Sequence, residues 1–330
     1  MLLRPLSTLT DEHGLITRRR AVDAGYDDRD LRRLVQRGHW VPLRRGVYAV
    51  REHWDDLDPY RGRPLLRIRA ASGALCCEHV LSHDSSSIVQ ETGAPDPSRA
   101  LVHVTRPKTH GDAVRSGVKH HLAPYLPGEV MVVDGLRVLD LARTAMDMAR
   151  EHGLVAGVAV CDQALRRGVT RAQLRETRSR MWCWPGSRCM DAAIDLADRG
   201  AESWLESEAR VFVAGLGIGR PETQLGLTDG LRTVWCDMHV RRHVFEVDGM
   251  VKYAGEDDWQ SAGEVLRLEK ERQDFVTGFK LGVTRLTAHD LRRGGRAAAE
   301  ARARREYDDT CARFGTDLSD LAPYRVTRRR

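Results

Sequence analysis

Two neighbouring strand-like segments, 232–240 and 243–249, restrict this chain more than anything else in it, because acidic residues fall at strand spacing within otherwise apolar runs. Arg241 and Arg242 between them form a short polar turn. A turn centred there sets Asp237 opposite Glu246, since the two lie equally far from it. Period-two alternation then sends Cys236, Met238, Phe245 and Val247 to one face, and Trp235, Asp237, Val244, Glu246 and Asp248 to the other. One face reads as core; the other gathers three carboxylates. Like charges set opposite each other destabilise a sheet unless something binds between them. A hard divalent cation, Mg²⁺ or Mn²⁺, is the natural occupant: it favours carboxylate oxygens and retains waters that can be activated against a phosphodiester. Glu206 is a candidate further acid, at the edge of a helical stripe of Leu205, Ala209, Phe212 and Leu216. Lys252, soon after Gly249, is a candidate for stabilising the phosphate or orienting the attacking water.

A chain of 330 residues has room for two or three domains, each with its own core. No stretch approaches the ~18 apolar residues of a membrane span, and the start has no basic segment leading into an apolar run and cleavage site. The expectation is a soluble, cytoplasmic protein with no membrane partner. The seven cysteines form no CxxC pair and no Cys/His zinc spacing, which fits reduced thiols. A formal charge of +6 and a pI near 9.1 suit a polyanionic partner. Arginine far outnumbers lysine, however, as GC-rich genomes impose on whole proteomes, so position must carry the argument.

Breaks at polar or Gly/Pro-containing segments divide the chain into four. These are a helical and ribbon-like module at 1–55, an α/β companion domain at 60–198, a segment at 200–291 reading helix, strand, strand, helix, strand, helix, and a charged helix with a basic tail at 292–330. The charges of the last are accounted for by a solvated helix and a frayed end.

In the first module, Thr17 to Asp23 reads as a short helix broken at Gly25 and Tyr26. Asp27 is then placed as the N-cap of a second helix, with Asp28 and Asp30 at its positive end. Leu31, Leu34 and Val35 share the inward face, leaving Arg29, Arg32, Arg33, Gln36 and Arg37 outward. Segment 40–49 reads as a two-stranded ribbon turning at Arg44, Arg45 and Gly46. Two helices and a ribbon make a winged helix-turn-helix, whose second helix enters the major groove while the wing touches phosphates. The runs Gly14-Leu15-Ile16-Thr17, Leu31-Arg32-Arg33-Leu34-Val35 and Leu43-Arg44-Arg45-Gly46-Val47-Tyr48 resemble the N-terminal antitoxin domain of the AbiEi family. That resemblance implies a bacterial DNA-binding module of type IV toxin-antitoxin systems, with DNA and a cognate toxin as partners.

The middle segment offers Ser82-His83-Asp84-Ser85-Ser86, but adjacent residues point in different directions, so a contiguous cluster rarely makes a triad. Ser82 is read as a helix cap, with His83 held by a backbone group. Arg143 and Asp147 are read as a structural i,i+4 pair. Proteins with an AbiEi-like start often continue with segments resembling both.

Segment 200–291 resembles the PD-(D/E)XK superfamily, nearest its DUF559 and very-short-patch-repair-like branch. The resemblance rests on Leu205-Glu206, Pro221-Glu222-Thr223-Gln224, Asp237, Glu246-Val247-Asp248-Gly249, Lys252-Tyr253, the helix around Glu269-Lys270-Glu271-Arg272, and the strand from Gly282 to Thr287. It implies a restriction-endonuclease-like α/β/α domain with a mixed sheet, Mg²⁺-dependent cleavage of DNA, Asp237 and Glu246 as metal ligands, and Glu206 as an auxiliary acid. Asp248 stands where the family carries lysine, so that role would pass to Lys252 or be lost. Two readings follow: an endonuclease joined to a DNA-binding module, or a DNA-binding regulator or antitoxin whose nuclease-like domain is silent.

Overall fold

The computed structural model describes residues 9–107, 113–248 and 259–327, with backbone alone for 259–266. They form two compact units, one of residues 1–160 with 169–191, the other of 161–168 with 192–330.

The first unit opens with β1 (Leu15–Thr17), α1 (Arg18–Asp23), α2 (Asp28–Gln36), β2 (Trp40–Arg44) and β3 (Val47–Val50). The strands form an antiparallel sheet in the order β1-β3-β2. Thr17 ends β1 and caps α1, its hydroxyl accepting the Arg20 N–H at 3.2 Å. Gly25 takes φ +95° in the turn, a conformation open to glycine. Asp27 then caps α2 in a full capping box with Asp30. Trp40 is wholly buried against Ile16, Ala21, Tyr26 and Leu31, with Leu34 and Val35 half-buried beside them. This helix-turn-helix closed by a hairpin is the winged arrangement expected from the sequence. After α3 (Arg51–Asp56) and α4 (Gly62–Ala74) comes a six-stranded mixed sheet. It runs β6 (Ala113–Arg115), β7 (Val118–Leu122), β5 (Val102–Arg106), β4 (Val80–Leu81), β9 (Leu136–Leu139) and β8 (Val130–Val133). The helices α5 (His83–Val89), α6 (Leu141–His152), α7 (Leu154–Arg166), α8 (Arg171–Arg180) and α9 (Ser187–Leu196) complete this part of the chain, α7 and α9 each ending in the second unit.

The second unit contains α10 (Trp204–Gly215), β10 (Glu222–Thr228), β11 (Thr233–Val240), β12 (His243–Asp248), α11 (Trp259–Gly278), β13 (Gly282–Thr287), α12 (Ala288–Leu291), α13 (Arg293–Phe314) and β14 (Arg325–Val326). Its sheet order is β13-β12-β11-β10-β14, parallel only between β12 and β13. Two apolar layers enclose it. Met238, Phe245 and Leu286 pack with Ala209 and Phe212 of α10 and Ala299 and Ala303 of α13. Leu225, Leu227 and Val244 pack with Phe275 and Val276 of α11. Fully burying a Phe or Leu side chain contributes about 1.5–3 kcal/mol, so these layers dominate the unit's stability.

Three expectations need correction. The order of elements includes β10 before the two acidic strands. The charged C-terminal segment is not a solvated appendage: α13 buries Ala299, Ala303 and Tyr307, and β14 pairs with β10. Small residues four apart give α13 a close-packing stripe that its arginines obscure. Alternation also breaks on β11, where Cys236 packs with Val244 while Met238 packs with Phe245 on the other side.

Candidate functional site

In the N-terminal module the Asp27 carboxylate accepts the N–H groups of Arg29 and Asp30 at 2.8 and 2.7 Å. These bonds, the one from Asp30 foremost, hold its carboxyl below the ordinary range. Leu31 is buried, and this fixes the rotation of α2. Arg29, Arg32, Arg33, Gln36 and Arg37 are consequently all exposed. Arg32 bonds the Asp28 carbonyl at 3.0 Å, and Arg33 lies 3.6 Å from Asp30. The wing turns at Arg45 and Gly46, with Gly46 at φ +75°. Arg45 is exposed there, but Arg44 is half-buried, with one buried guanidinium nitrogen lacking a hydrogen-bond partner. A cleft of about 530 Å³ beside the wing is lined by Arg18, Arg19, Arg45 and Arg69, together with Asp11 and His13. Sequence reading passed over Arg18 and Arg69, because neither lies on α2 or the ribbon.

In the second unit the register of β11 and β12 is the expected one: Met238 pairs Phe245, His239 pairs Val244 and Val240 pairs His243. The paired ladder ends there; Asp237 and Glu246 lie one position beyond it, near enough for the charge of Asp237 to act on Glu246. Asp237 Oδ2 accepts the Val247 N–H at 2.8 Å. Burial pushes both carboxyls above the usual range, with Arg272 opposing. Arg272, on α11, donates to both Glu246 oxygens at 3.0 and 2.9 Å and to the Trp235 carbonyl at 2.8 Å. A guanidinium thus stands against the carboxylate where a divalent cation was expected.

The remaining members of the set differ in placement. Glu206 is chiefly a capping residue: its two oxygens accept the Glu202 N–H at 2.8 Å and the Ser203 hydroxyl at 2.9 Å, while Ser203 accepts the Glu206 N–H. Burial raises its carboxyl, and the nearby charge of Asp237 adds to this. Asp248 is exposed at the end of β12, in register with Thr287. Lys252 lies outside the described residues. Glu269 pairs with Arg285.

Carboxylates suit Mg²⁺ by chemistry. As arranged here they do not fit it, because Arg272 neutralises Glu246 and the α10 cap engages both oxygens of Glu206. Among the described residues, three acidic, histidine or cysteine side chains bring ligand atoms within 4.8 Å of one another at His83, His103 and His121 instead.

That cluster lies in the middle segment, where the sequence-based reading is also revised. Ser82 occupies the cap position of α5 but makes no capping bond. Its oxygen accepts from Thr105 Oγ1 at 2.8 Å and lies 3.0 Å from His83 Nδ1, so His83 is held by a side chain rather than by backbone. Arg143 and Asp147 do pair, at 3.2 Å, both buried. The two segments read separately are in fact joined, with the Ser86 and Thr144 hydroxyls 2.8 Å apart.

Residues 4–51 match the family described as "Transcriptional regulator, AbiEi antitoxin". The N-terminal module is therefore similar to that family over these residues, in keeping with its winged architecture. Among curated proteins no relative matches the chain.

Proposed function

We propose that the chain is a DNA-binding transcriptional regulator of the AbiEi-antitoxin kind, with α2 entering the major groove and the wing tip at Arg45 touching phosphate. The observation that carries the reading is the capped α2, with Leu31 turned inward and Arg29, Arg33 and Arg37 turned to solvent. The family match over residues 4–51 supports it. Duplex DNA is the proposed partner, a cognate toxin a second, and the bacterial cytoplasm the site of action. In this reading the carboxylates of the second unit are held silent by Arg272. Fluorescence anisotropy with a duplex from the region upstream of the chain's own coding sequence, in EDTA, tests it. Binding should be selective over a scrambled duplex and should weaken ~10-fold or more in Arg33→Ala. Equal affinity of wild type and variant for both duplexes would overturn it.

A second reading, hydrolysis of DNA phosphodiesters, is favoured by the meeting of Asp237 and Glu246. It requires Arg272 to leave Glu246. Nicking of supercoiled plasmid in Mn²⁺ by wild type, absent in Asp237→Ala, would support it; no nicking in either removes it.

A further inference from the structure

We propose that His83, His103 and His121 form a binding site for one transition-metal ion, with Zn²⁺ the ion best suited to it. The site is independent of DNA reading, since it lies outside residues 4–51.

The fold brings the three histidines together from distant sequence. β7, β5 and β4 are successive strands of the six-stranded sheet. His121 is on β7 and His103 on β5. His83 follows directly on the end of β4, where the Ser82 N–H donates to the His103 carbonyl at 3.2 Å. His83 holds φ +47°, a conformation that residues with side chains keep only where their surroundings fix it. All three are buried. The His83 ring stacks on His121 with centroids 3.8 Å apart, and His103 Nδ1 is 3.0 Å from His121 Nε2.

One nitrogen from each ring lies within 4.8 Å of the other two. Zinc–imidazole bonds of about 2.0–2.1 Å in a tetrahedron set ligand nitrogens about 3.4 Å apart. Closing 4.8 Å to that spacing takes at most ~1.4 Å, and the His83 and His121 rings, now stacked 14° from parallel, turn so that both lone pairs meet one ion.

The surroundings have the form of an outer ligand shell. Metal-bound histidine typically donates its second N–H to a carboxylate or similar acceptor, which fixes the tautomer and orients the ring. His103 Nε2 lies 3.3 Å from Asp84 Oδ2, and the same carboxylate meets His152 Nε2 at 2.8 Å. A proton on His103 Nε2 leaves the Nδ1 lone pair directed at His121. Asp147 is 3.9 Å from His83 Nε2. Asp84 therefore stands behind His103 as its carboxylate acceptor, whereas Asp147, although near His83, is already paired with Arg143 and Arg150 at 3.2 and 3.4 Å. Neutral nitrogen donors select zinc and its neighbours over Mg²⁺ or Ca²⁺.

The test uses the full chain, stripped with a chelator and titrated with Zn²⁺ against a chromophoric competitor, and in parallel with Co²⁺ followed by its visible spectrum. One ion should bind per chain, the Co²⁺ bands should show nitrogen and oxygen ligation without a thiolate charge-transfer band, and Zn²⁺ should raise Tm. His103→Gln and His121→Gln should abolish all three effects, Asp84→Asn should weaken binding ~10–100-fold, and His39→Ala should change nothing. Less than one equivalent bound, a thiolate band, or unchanged affinity in both glutamine variants would overturn the proposal. If those variants fail to fold, the wild-type stoichiometry and spectrum still decide it.

Discussion

Arg33 on α2 and Arg272 on α11 are the same residue type in opposite circumstances. Arg33 stands on an exposed face whose nearest acid, Asp30, is on its own helix 3.6 Å away. Arg272 reaches across to a different element, meets a buried carboxylate and a backbone carbonyl, and is half enclosed by them. An exposed ion pair contributes little and is readily exchanged for a polyanion. A guanidinium on a buried carboxylate is different, since removing it strands a charge in a poor solvent. The contrast teaches that an arginine-rich chain cannot be read by counting arginines. What matters is whether the surrounding fold already supplies the anion.

The largest effect that would sharpen this contrast is on DNA affinity. The triple variant Arg29→Ala, Arg33→Ala, Arg37→Ala should bind duplex DNA on the order of 10²-fold or more weakly, while its unfolding free energy stays within about 0.5 kcal/mol of wild type. Anisotropy and urea titration measure the two quantities, and a large loss of stability without loss of binding would break the contrast.

The stability of the second unit should depend on pH. Burial holds His243 down to about 4, between the hydroxyls of Thr310 and Thr284 at 2.7 and 2.8 Å. Its contribution is therefore fully present above about pH 6.5 and is lost as pH falls toward 4, about 3 kcal/mol in all. Burial pushes Asp162 up to about 6 despite Arg210 beside it. The folded state then takes up the proton before the unfolded chain does, so stability is gained as pH falls from about 6 to 4, again by about 3 kcal/mol. The two effects oppose each other in wild type. His243→Gln removes one of the losses, so from pH 7 to pH 5 the second unit should lose less stability, or gain more, than in wild type, read by hydrogen exchange of its peptides relative to the intrinsic rate. An unchanged pH response would refute the assignment.

Arg272→Ala comes next. It should cost the second unit about 1–3 kcal/mol at pH 7, because Glu246 loses its partner. The cost should shrink as pH falls, because burial raises the Glu246 carboxyl and favours its neutral form, and DNA affinity should be unchanged. A matching loss of affinity would mean that Arg272 also contacts nucleic acid. The smallest effect belongs to Arg285→Ala, which removes a half-buried partner of Glu269 and should cost no more than about 1 kcal/mol by thermal melting.

Local signals were the readable ones. The Asp27 cap, the inward turn of Leu31 and the register of Met238 against Phe245 all follow from spacing over a few residues. Arg272 could not be matched to Glu246 in that way, because the pair spans 26 positions and depends on how α11 lies on the sheet. His83, His103 and His121 were invisible for the same reason: strand order, not sequence distance, brings them together. The capping role of Glu206 went unread because an acid three residues after Ser203 serves a cap as naturally as a site. The break in alternation between Cys236 and Met238 has no marker in residue type.

The division of α7 between the two units has a consequence for biosynthesis. Asp162, on its C-terminal part, is buried against Arg210 and the Ser207 hydroxyl. During translation Asp162 leaves the ribosome well before either partner exists, and the first unit still awaits residues 169–191. The nascent helix must therefore carry a solvated carboxylate until α10 is made, and neither half of the chain can be released as a finished body by cutting near residue 160.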